Sequence, residues 1–269
     1  MGSITVRRPS FVWPEDLGLM PYPDDPGRSC DLVALSFTLP YLEPYLIRTM
    51  RLAGKEIEDP ELAAEMKAFS GQEAQHFQNH ARINDIVRSQ LTDGRAEQMR
   101  ALEADLDADY RHFSATKSLA FNLAYAEGFE AMTFALARST MGDESSTSAA
   151  PGWLDLMAWH LAEEIEHRTV TFDAYDRIVG KYPYRVAVGS RAQLHFLGYL
   201  MRMATVLRHE VGEPGVTTRR VAFDAAKRHW KSGALPGTLK ALSPRYDPRN
   251  VQLSPRVRDV CALVGVDLD

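Results

Sequence analysis

Three side chains that can bind a metal ion recur at helical spacing within Trp159–Asp173, WHLAEEIEHRTVTFD. If the stretch is helical, His160, Glu164 and His167 share one face, because residues three and four apart are neighbours on an α-helix. Apolar residues flank this face, so the two imidazoles and the carboxylate are expected in core-like surroundings. Buried charged groups are tolerated when they are paired or bound to a metal ion. The pattern therefore predicts a metal site.

A Glu-x-x-His motif occurs twice, at Glu73–His76 and Glu164–His167. The composition alone would produce about half of one such pair by chance, so the motif needs support from its context. Each motif is predicted on the apolar side of a long helix. Each also follows a helix that carries an isolated glutamate, Glu43 in the first half and Glu127 in the second. Taken singly, each of these two glutamates could also be a solvated residue, or for Glu43 a residue at a helix start.

The order Glu, ExxH, Glu, ExxH on four helices is the ligand set of ferritin-like bundles that bind two metal ions through carboxylates. Carboxylates and imidazoles together suit two iron ions. Manganese or zinc could use similar ligands, so the motif does not identify the metal.

Other polar residues near these motifs have open roles. His160 lies one turn before Glu164 and is predicted either as an additional nitrogen ligand or as a core histidine. Glu130 lies one turn beyond Glu127 and could be an extra carboxylate or a partner of a ligand. His80, one turn after His76, is predicted to orient His76 or a carboxylate by hydrogen bonding.

The hydrophobic pattern beyond residue 31 has a helical period, without strand alternation or a βαβ rhythm. It predicts an all-α protein, a ferritin-like helical bundle. We expect a single domain over 1–269: an extended, proline-rich arm over 1–30, a metal-binding bundle over 31–180 and additional helices over 181–269.

Proline, glycine and capping residues set the predicted helix limits. Pro44 is expected only in the first turn of a helix, where its missing N–H is not needed. The stretch 235–250 is predicted to be a proline-punctuated loop. The predicted helices cover about 41–52, 60–91, 92–111, 114–139, 153–179, 186–211, 217–231 and 255–264.

Composition and charge exclude several classes of protein. Charged residues make up 25% and the net charge is −5, and there is no basic block of the kind that binds nucleic acid. No apolar run approaches the roughly 18–20 residues of a transmembrane helix, so no membrane partner is predicted. The N-terminus lacks the apolar core of a signal peptide. Two cysteines do not make a disulfide framework, which favours a cytoplasmic setting.

Four sequence segments, in chain order, resemble a bacterial family known as predicted metal-dependent hydrolases. They are LPYLEPYLIRTMR (40–52), DPELAAEMKAFSGQEAQHFQNHARIN (59–84), AEGFEAMTFALA (126–137) and WHLAEEIEHRTVTFDAY (159–175). The sequence departs from the family pattern at Pro44, Gly128 and Glu130. The resemblance implies a ferritin-like site for two metal ions and a metal-dependent hydrolytic activity.

The ligand pattern also resembles, locally, the di-iron arylamine N-oxygenases, in which a third histidine precedes the last ExxH motif by one turn. His160 matches that position. By this resemblance the seven metal ligands would be Glu43, Glu73, His76, Glu127, His160, Glu164 and His167.

Three hypotheses of function follow. The first is a non-heme di-iron oxygenase that uses O2 to oxidise a small organic substrate by C- or N-oxygenation or by desaturation. Its electrons would come from a separate reductase, because the sequence has no flavin or nicotinamide motif. The second is a binuclear hydrolase, with Glu130 or His80 available to move protons. The third is a bundle for iron storage or a structural scaffold. The substrate, the metal and homodimerisation are left open by the sequence.

Overall fold

The computed structural model describes residues 4–14 and 17–268, and within them it contains ten α-helices and no β-strand. The predicted all-α class is confirmed. Residues 1–3, 15 and 16 of the predicted arm, and residue 269, lie outside the described part. The helices are α1 (Pro26–Ala53), α2 (Pro60–Ser89), α3 (Asp93–Thr116), α4 (Leu119–Gly142), α5 (Pro151–Glu166), α6 (Val170–Ile178), α7 (Tyr182–Glu210), α8 (Thr218–Ser232), α9 (Ala234–Ala241) and α10 (Pro255–Leu263).

Helix α1 runs without interruption through Pro40 and Pro44, so the predicted helix start near residue 41 is wrong. A proline inside a helix leaves the carbonyl four residues earlier without its N–H donor. For Pro40 this carbonyl belongs to Ser36, and the Asn84 side-chain amide donates to it at 2.8 Å. A neighbouring helix therefore replaces the hydrogen bond that Pro40 cannot make.

The helix predicted over 153–179 is divided at His167 into α5 and α6. Arg168 Nη1 donates to the carbonyl oxygen of Ile165 in the last turn of α5, which satisfies a group that the helix end leaves unpaired. Thr169, Val170 and Thr171 are β-branched residues, whose helix propensity is lower. The break leaves His167 immediately after α5 rather than within a helix.

Helices α4 and α7 cross in close contact at Gly128 and Gly189. A Cβ atom at Gly128 would lie 2.2 Å from Gly189 Cα, which no real Cβ could do. The crossing fixes the rotation of α4, because position 128 must face α7. Two residues further on, a side chain points about 200° away around the helix. Glu130 is therefore directed to the opposite side, toward α2 and α5.

The two ends of the chain also differ in part from the sequence-based expectation. Residues 4–14 form no helix or strand, and α1 begins at Pro26, inside the predicted arm over 1–30, where the Asp25 side chain accepts from Arg28 N. Helix α9 (Ala234–Ala241) covers the first part of the stretch 235–250, so the prediction of a loop is wrong there. Among the described residues, no helix has the length and apolarity needed to cross a bilayer.

Substitution of Gly128 by alanine should destabilise the fold by at least about 2 kcal/mol, because an added methyl would collide with backbone rather than with a movable side chain. Gly198→Ala, in α7, is the matched control: its Cβ would meet nothing within 4 Å. That variant should gain about 0.5–1 kcal/mol from helix propensity. Urea unfolding of both variants measures the difference. A Gly128→Ala protein as stable as the parent would contradict the described crossing.

Candidate metal centre

Seven buried side chains from four helices and one helix end meet in the interior of the bundle. Each of them is at most 4% exposed. Helix α1 contributes one carboxylate, α2 and α5 each contribute a carboxylate and an imidazole, α4 contributes one carboxylate, and the last imidazole follows α5. The residues are Glu43, Glu73, His76, Glu130, His160, Glu164 and His167.

Two sets of three residues have ligand atoms close enough to bind a metal ion. One set is Glu43, His76 and His160, and the other is Glu73, Glu164 and His167; within each set the ligand atoms lie within 4.8 Å of one another. Glu130 adjoins the second set, with its Oε2 atom 3.3 Å from His167 Nε2. The arrangement offers two neighbouring cation positions.

The polar atoms of this cluster are poorly satisfied by the protein itself. Eight of them are buried and have no hydrogen-bond partner among the described residues: Glu43 Oε1 and Oε2, Glu73 Oε1 and Oε2, His76 Nδ1, Glu130 Oε1, Glu164 Oε2 and His167 Nε2. Buried polar groups normally have partners, and buried charges are normally paired or coordinated. Two divalent cations would balance four carboxylates in charge. The donor set therefore fits two metal ions.

The pKa values of the carboxyl groups show that burial disfavours their ionised forms when no metal ion is bound. Burial raises the pKa of Glu43 well above its usual value, and the neighbouring carboxylates of Glu73 and Glu164 raise it further. Burial also raises the pKa of Glu73 to about 8 and that of Glu130 to about 8. Without a cation, the cluster holds protons in order to reduce repulsion between its carboxylates.

The pKa of the fourth carboxylate, Glu164, is lowered rather than raised. Burial would raise the pKa of Glu164, but the imidazoles of His167 and His160 outweigh burial and lower it well below its usual value. Burial would lower the pKa of His167, but Glu164 and Glu130 raise it well above its usual value. In the absence of metal, His167 is therefore the cation that pairs with Glu164.

Hydrogen bonds on the outer side of His76 and His167 direct one nitrogen of each ring into the cluster. His76 Nε2 lies 2.9 Å from Glu163 Oε2; a carboxylate only accepts, so this nitrogen carries the proton and Nδ1 faces inward. His167 Nδ1 lies 3.1 Å from Gln72 Oε1. The Gln72 amide nitrogen donates to Thr5 O and to Glu166, so its oxygen must accept from His167. His167 Nε2 then faces inward.

Arg7 of the N-terminal arm connects these two outer partners. Its Nη1 lies 3.1 Å from Glu163 Oε1, and its guanidinium donates two hydrogen bonds to Glu166. Burial would raise the pKa of Glu163, but hydrogen bonds from His76 and Arg7 lower it, which keeps the carboxylate ionised as an acceptor. Because Glu166 accepts from Gln72, Arg7 contacts the partner of His76 directly and reaches the partner of His167 through Glu166.

A separate chain of hydrogen bonds orients His160. Asn84 donates to Ser36 O and accepts from the Ser36 hydroxyl at 2.6 Å. That hydroxyl must therefore accept from His80 Nδ1, 2.8 Å away, which leaves His80 Nε2 as an acceptor. His80 Nε2 lies 2.8 Å from His160 Nδ1. His160 Nδ1 carries the proton, so Nε2 faces Glu43 and Glu164. The hydrogen-bond partner of His80 on this side is therefore His160, whereas the sequence predicted His76 or a carboxylate.

Glu127 is the one predicted ligand that the structure does not bring into the cluster. Its Oε1 atom accepts from Arg185 Nη1 at 2.8 Å, on the side of α4 that faces α7. Glu130, three residues later, occupies the place expected for Glu127. The other six predicted ligands, Glu43, Glu73, His76, His160, Glu164 and His167, do lie together.

Two residues that support the cluster were not assigned by sequence reasoning. Arg7 is not part of a recognisable motif. The only signal in the sequence was the presence of two further acids beside the ligands, Glu163 and Glu166, which need a basic partner if they are buried. Gln72 precedes Glu73 and gave no signal by its type.

The fold and the cluster define a helical bundle with a buried carboxylate–histidine site suited to two metal ions. Comparison of the sequence with protein-family models identifies its family. The chain belongs to the family described as predicted metal-dependent hydrolases, whose family model matches residues 5–252. Comparison with curated proteins gave no significant match, and comparison with solved structures gave none either.

Glu130→Gln should lower the bound metal from two ions to about one per chain, because it removes a charged ligand from the cluster. Glu127→Gln should keep the full metal content but lose stability, since breaking a buried ion pair leaves Arg185 uncompensated. Elemental analysis after gel filtration, with unfolding of both variants, separates the two effects. The opposite assignment, with metal lost only in Glu127→Gln, would contradict the described rotation of α4.

Arg7→Ala should weaken divalent-metal binding about tenfold, the lower end of the effect of removing a group that orients metal ligands, because Arg7 acts on the ligands through Glu163 and Glu166. Arg8→Ala, which changes the exposed neighbouring arginine, should leave the affinity unchanged. Competition with a chromophoric chelator gives both dissociation constants. If the two variants bind equally tightly, the arm does not support the site.

Metal affinity should rise with pH between about 6 and about 8, because the protons held by Glu73, Glu130 and His167 must leave before a cation binds. The sign follows from the raised pKa values: below about pH 8, protons compete with the metal for these ligands. Each proton displaced contributes up to about tenfold in affinity per pH unit. Calorimetric titration in buffers of different ionisation enthalpy counts the protons. An affinity that stays constant over this range would be inconsistent with protonated carboxyls.

Proposed function

We propose that this chain is a two-metal enzyme and that it hydrolyses an ester, amide or phosphate bond in a small organic substrate. The observation that carries the proposal is the inward set of unpartnered ligand atoms from four carboxylates and two imidazoles. Hydrolysis is the reaction class that the family description supports. Bound divalent cations would supply Lewis acidity to the reaction and lower the pKa of a water molecule.

The protein's own groups would hold the site ready for this chemistry. His76 Nε2–H donates a hydrogen bond to Glu163, and His160 Nδ1–H donates one to His80. These two hydrogen bonds keep the other nitrogen of each imidazole directed at the metal positions. The surrounding core excludes bulk water, which strengthens electrostatic interactions in the cluster. Glu43 and Glu73 each have both carboxylate oxygens without partners, and we assign the exchange of a proton with substrate or water to one of these two carboxylates.

Oxygen activation is a second candidate, and the donor set favours it. Four carboxylates with an ExxH motif on each of two helices are typical of bundles that hold two iron or two manganese ions. A site this deeply buried also suits the exclusion of water from reactive intermediates. In that case the enzyme would be an oxygenase for a small organic substrate and would need electrons from a reductase.

One experiment separates the two candidates. The purified protein is loaded in turn with zinc, manganese and ferrous iron, then assayed on a panel of ester, amide and phosphate substrates and, for iron, for O2 uptake after reduction. Metal-dependent hydrolysis that is lost in Glu164→Gln and kept in Glu97→Gln, an exposed position on α3, supports the proposal. Stoichiometric O2 uptake without hydrolysis would replace it with the second candidate. Neither activity in a fully loaded protein would refute both.

A further inference from the structure

A cavity of about 320 Å³ lies between α4, α9 and the segment that precedes α10. Its volume is at the lower end of the range for small-molecule sites, about 300–1,000 Å³. One wall is apolar and comes from Ala131, Phe134 and Ala135 of α4. The lining also includes polar residues of the segment between α9 and α10, among them Tyr246 and Gln252. The cavity can take a molecule with one apolar and one polar part.

The charge of the lining is positive. Arg138 and Lys240 both line the cavity, and none of its ten lining residues is acidic. Arg138 Nε is buried and has no hydrogen-bond partner among the described residues. A buried donor without a partner is costly, and a guanidinium fork matches a carboxylate or a phosphate in shape.

Gly237 makes room for this guanidinium. A Cβ atom at position 237 would lie 3.2 Å from Arg138 Nη2 and 3.1 Å from Ala135 Cβ. With glycine there, α9 approaches α4 closely while the arginine head stays beside the cavity. Lys240 follows on the same short helix and adds a second positive charge.

The cavity and the metal cluster are neighbours along α4. Ala131, in the cavity wall, directly follows Glu130, in the cluster. Phe134 lines the cavity and lies one helical turn after Glu130, about 40° away around the helix axis. Phe134 therefore lines the cavity from nearly the same side of α4 as Glu130.

We propose that this cavity binds the substrate through an anionic group that is not the group that reacts. A carboxylate or phosphate monoester lies between Arg138 and Lys240, and the apolar body of the molecule lies along Ala131 and Phe134 with its far end toward the metal cluster. The orientation rests on the proposed function, because it assumes that the cluster is where the reaction occurs; the anion site itself does not.

Binding of hexanoate to the metal-loaded protein, followed by calorimetry, tests the anion site, with hexanol as the neutral probe and hexyl phosphate as the second anion. Hexanoate or hexyl phosphate should bind and hexanol should not. Arg138→Gln should weaken the binding about tenfold, the worth of one charge-assisted hydrogen bond. Lys240→Gln should weaken it less, and Lys231→Gln, on an exposed part of α8, should have no effect. Equal binding of hexanol, or unchanged binding in Arg138→Gln, would overturn the assignment.

Relaxation of the ligand protons by bound Mn²⁺ tests the orientation. The terminal methyl protons of hexanoate should relax faster than the protons next to the carboxylate. Faster relaxation next to the carboxylate would mean that the anion sits on the metal, which would overturn the proposal. These measurements require no turnover. Hydrolysis without binding of the probes would contradict only the proposed anion site. Binding of the probes without hydrolysis would contradict only the proposed function.

Discussion

The structure depends on one unfavourable interaction, the electrostatic repulsion between carboxylates buried in the bundle. Four carboxylates are buried together, and burial raises the pKa of Glu43, Glu73 and Glu130. Such a cluster is costly unless cations neutralise it. Helices α1, α2, α4 and α5 nevertheless bring these side chains to one place. Binding of two metal ions would turn this unfavourable group of charges into a source of stability, since metal-binding energy is also folding energy.

Much of the surrounding structure serves to hold imidazole rings in one state. Three separate partners, Glu163, Gln72 and His80, accept the outer proton of one histidine each. These partners are in turn held by the N-terminal arm, through Arg7, and by α1, through Ser36. The arm and Pro40 of α1, which look irregular in the sequence, are thus both connected to the hydrogen bonds that orient the metal ligands.

The two ExxH motifs could be recognised from sequence because the two ligands of each motif are close in the chain, within α2 for the first and at the end of α5 for the second, and local spacing determines their direction. The choice between Glu127 and Glu130 could not be made in that way. Helix α4 is apolar on almost every side, so its hydrophobic pattern does not say which face is central. Its rotation depends on the contact of Gly128 with Gly189, which are far apart in the sequence. The unbroken α1 depends likewise on a donor from another helix, Asn84, and the role of Arg7 depends on where an extended arm comes to lie.

The central claim is that seven side chains hold two metal ions inside the bundle, and anomalous diffraction from crystals of the metal-loaded protein tests it most directly. Data collected above and below the absorption edge of the bound metal should show two peaks. One should lie among Glu43, His76 and His160, and the other among Glu73, Glu130, Glu164 and His167. A cluster without anomalous density in crystals of protein shown to contain metal, or density beside Glu127 instead, would contradict the account.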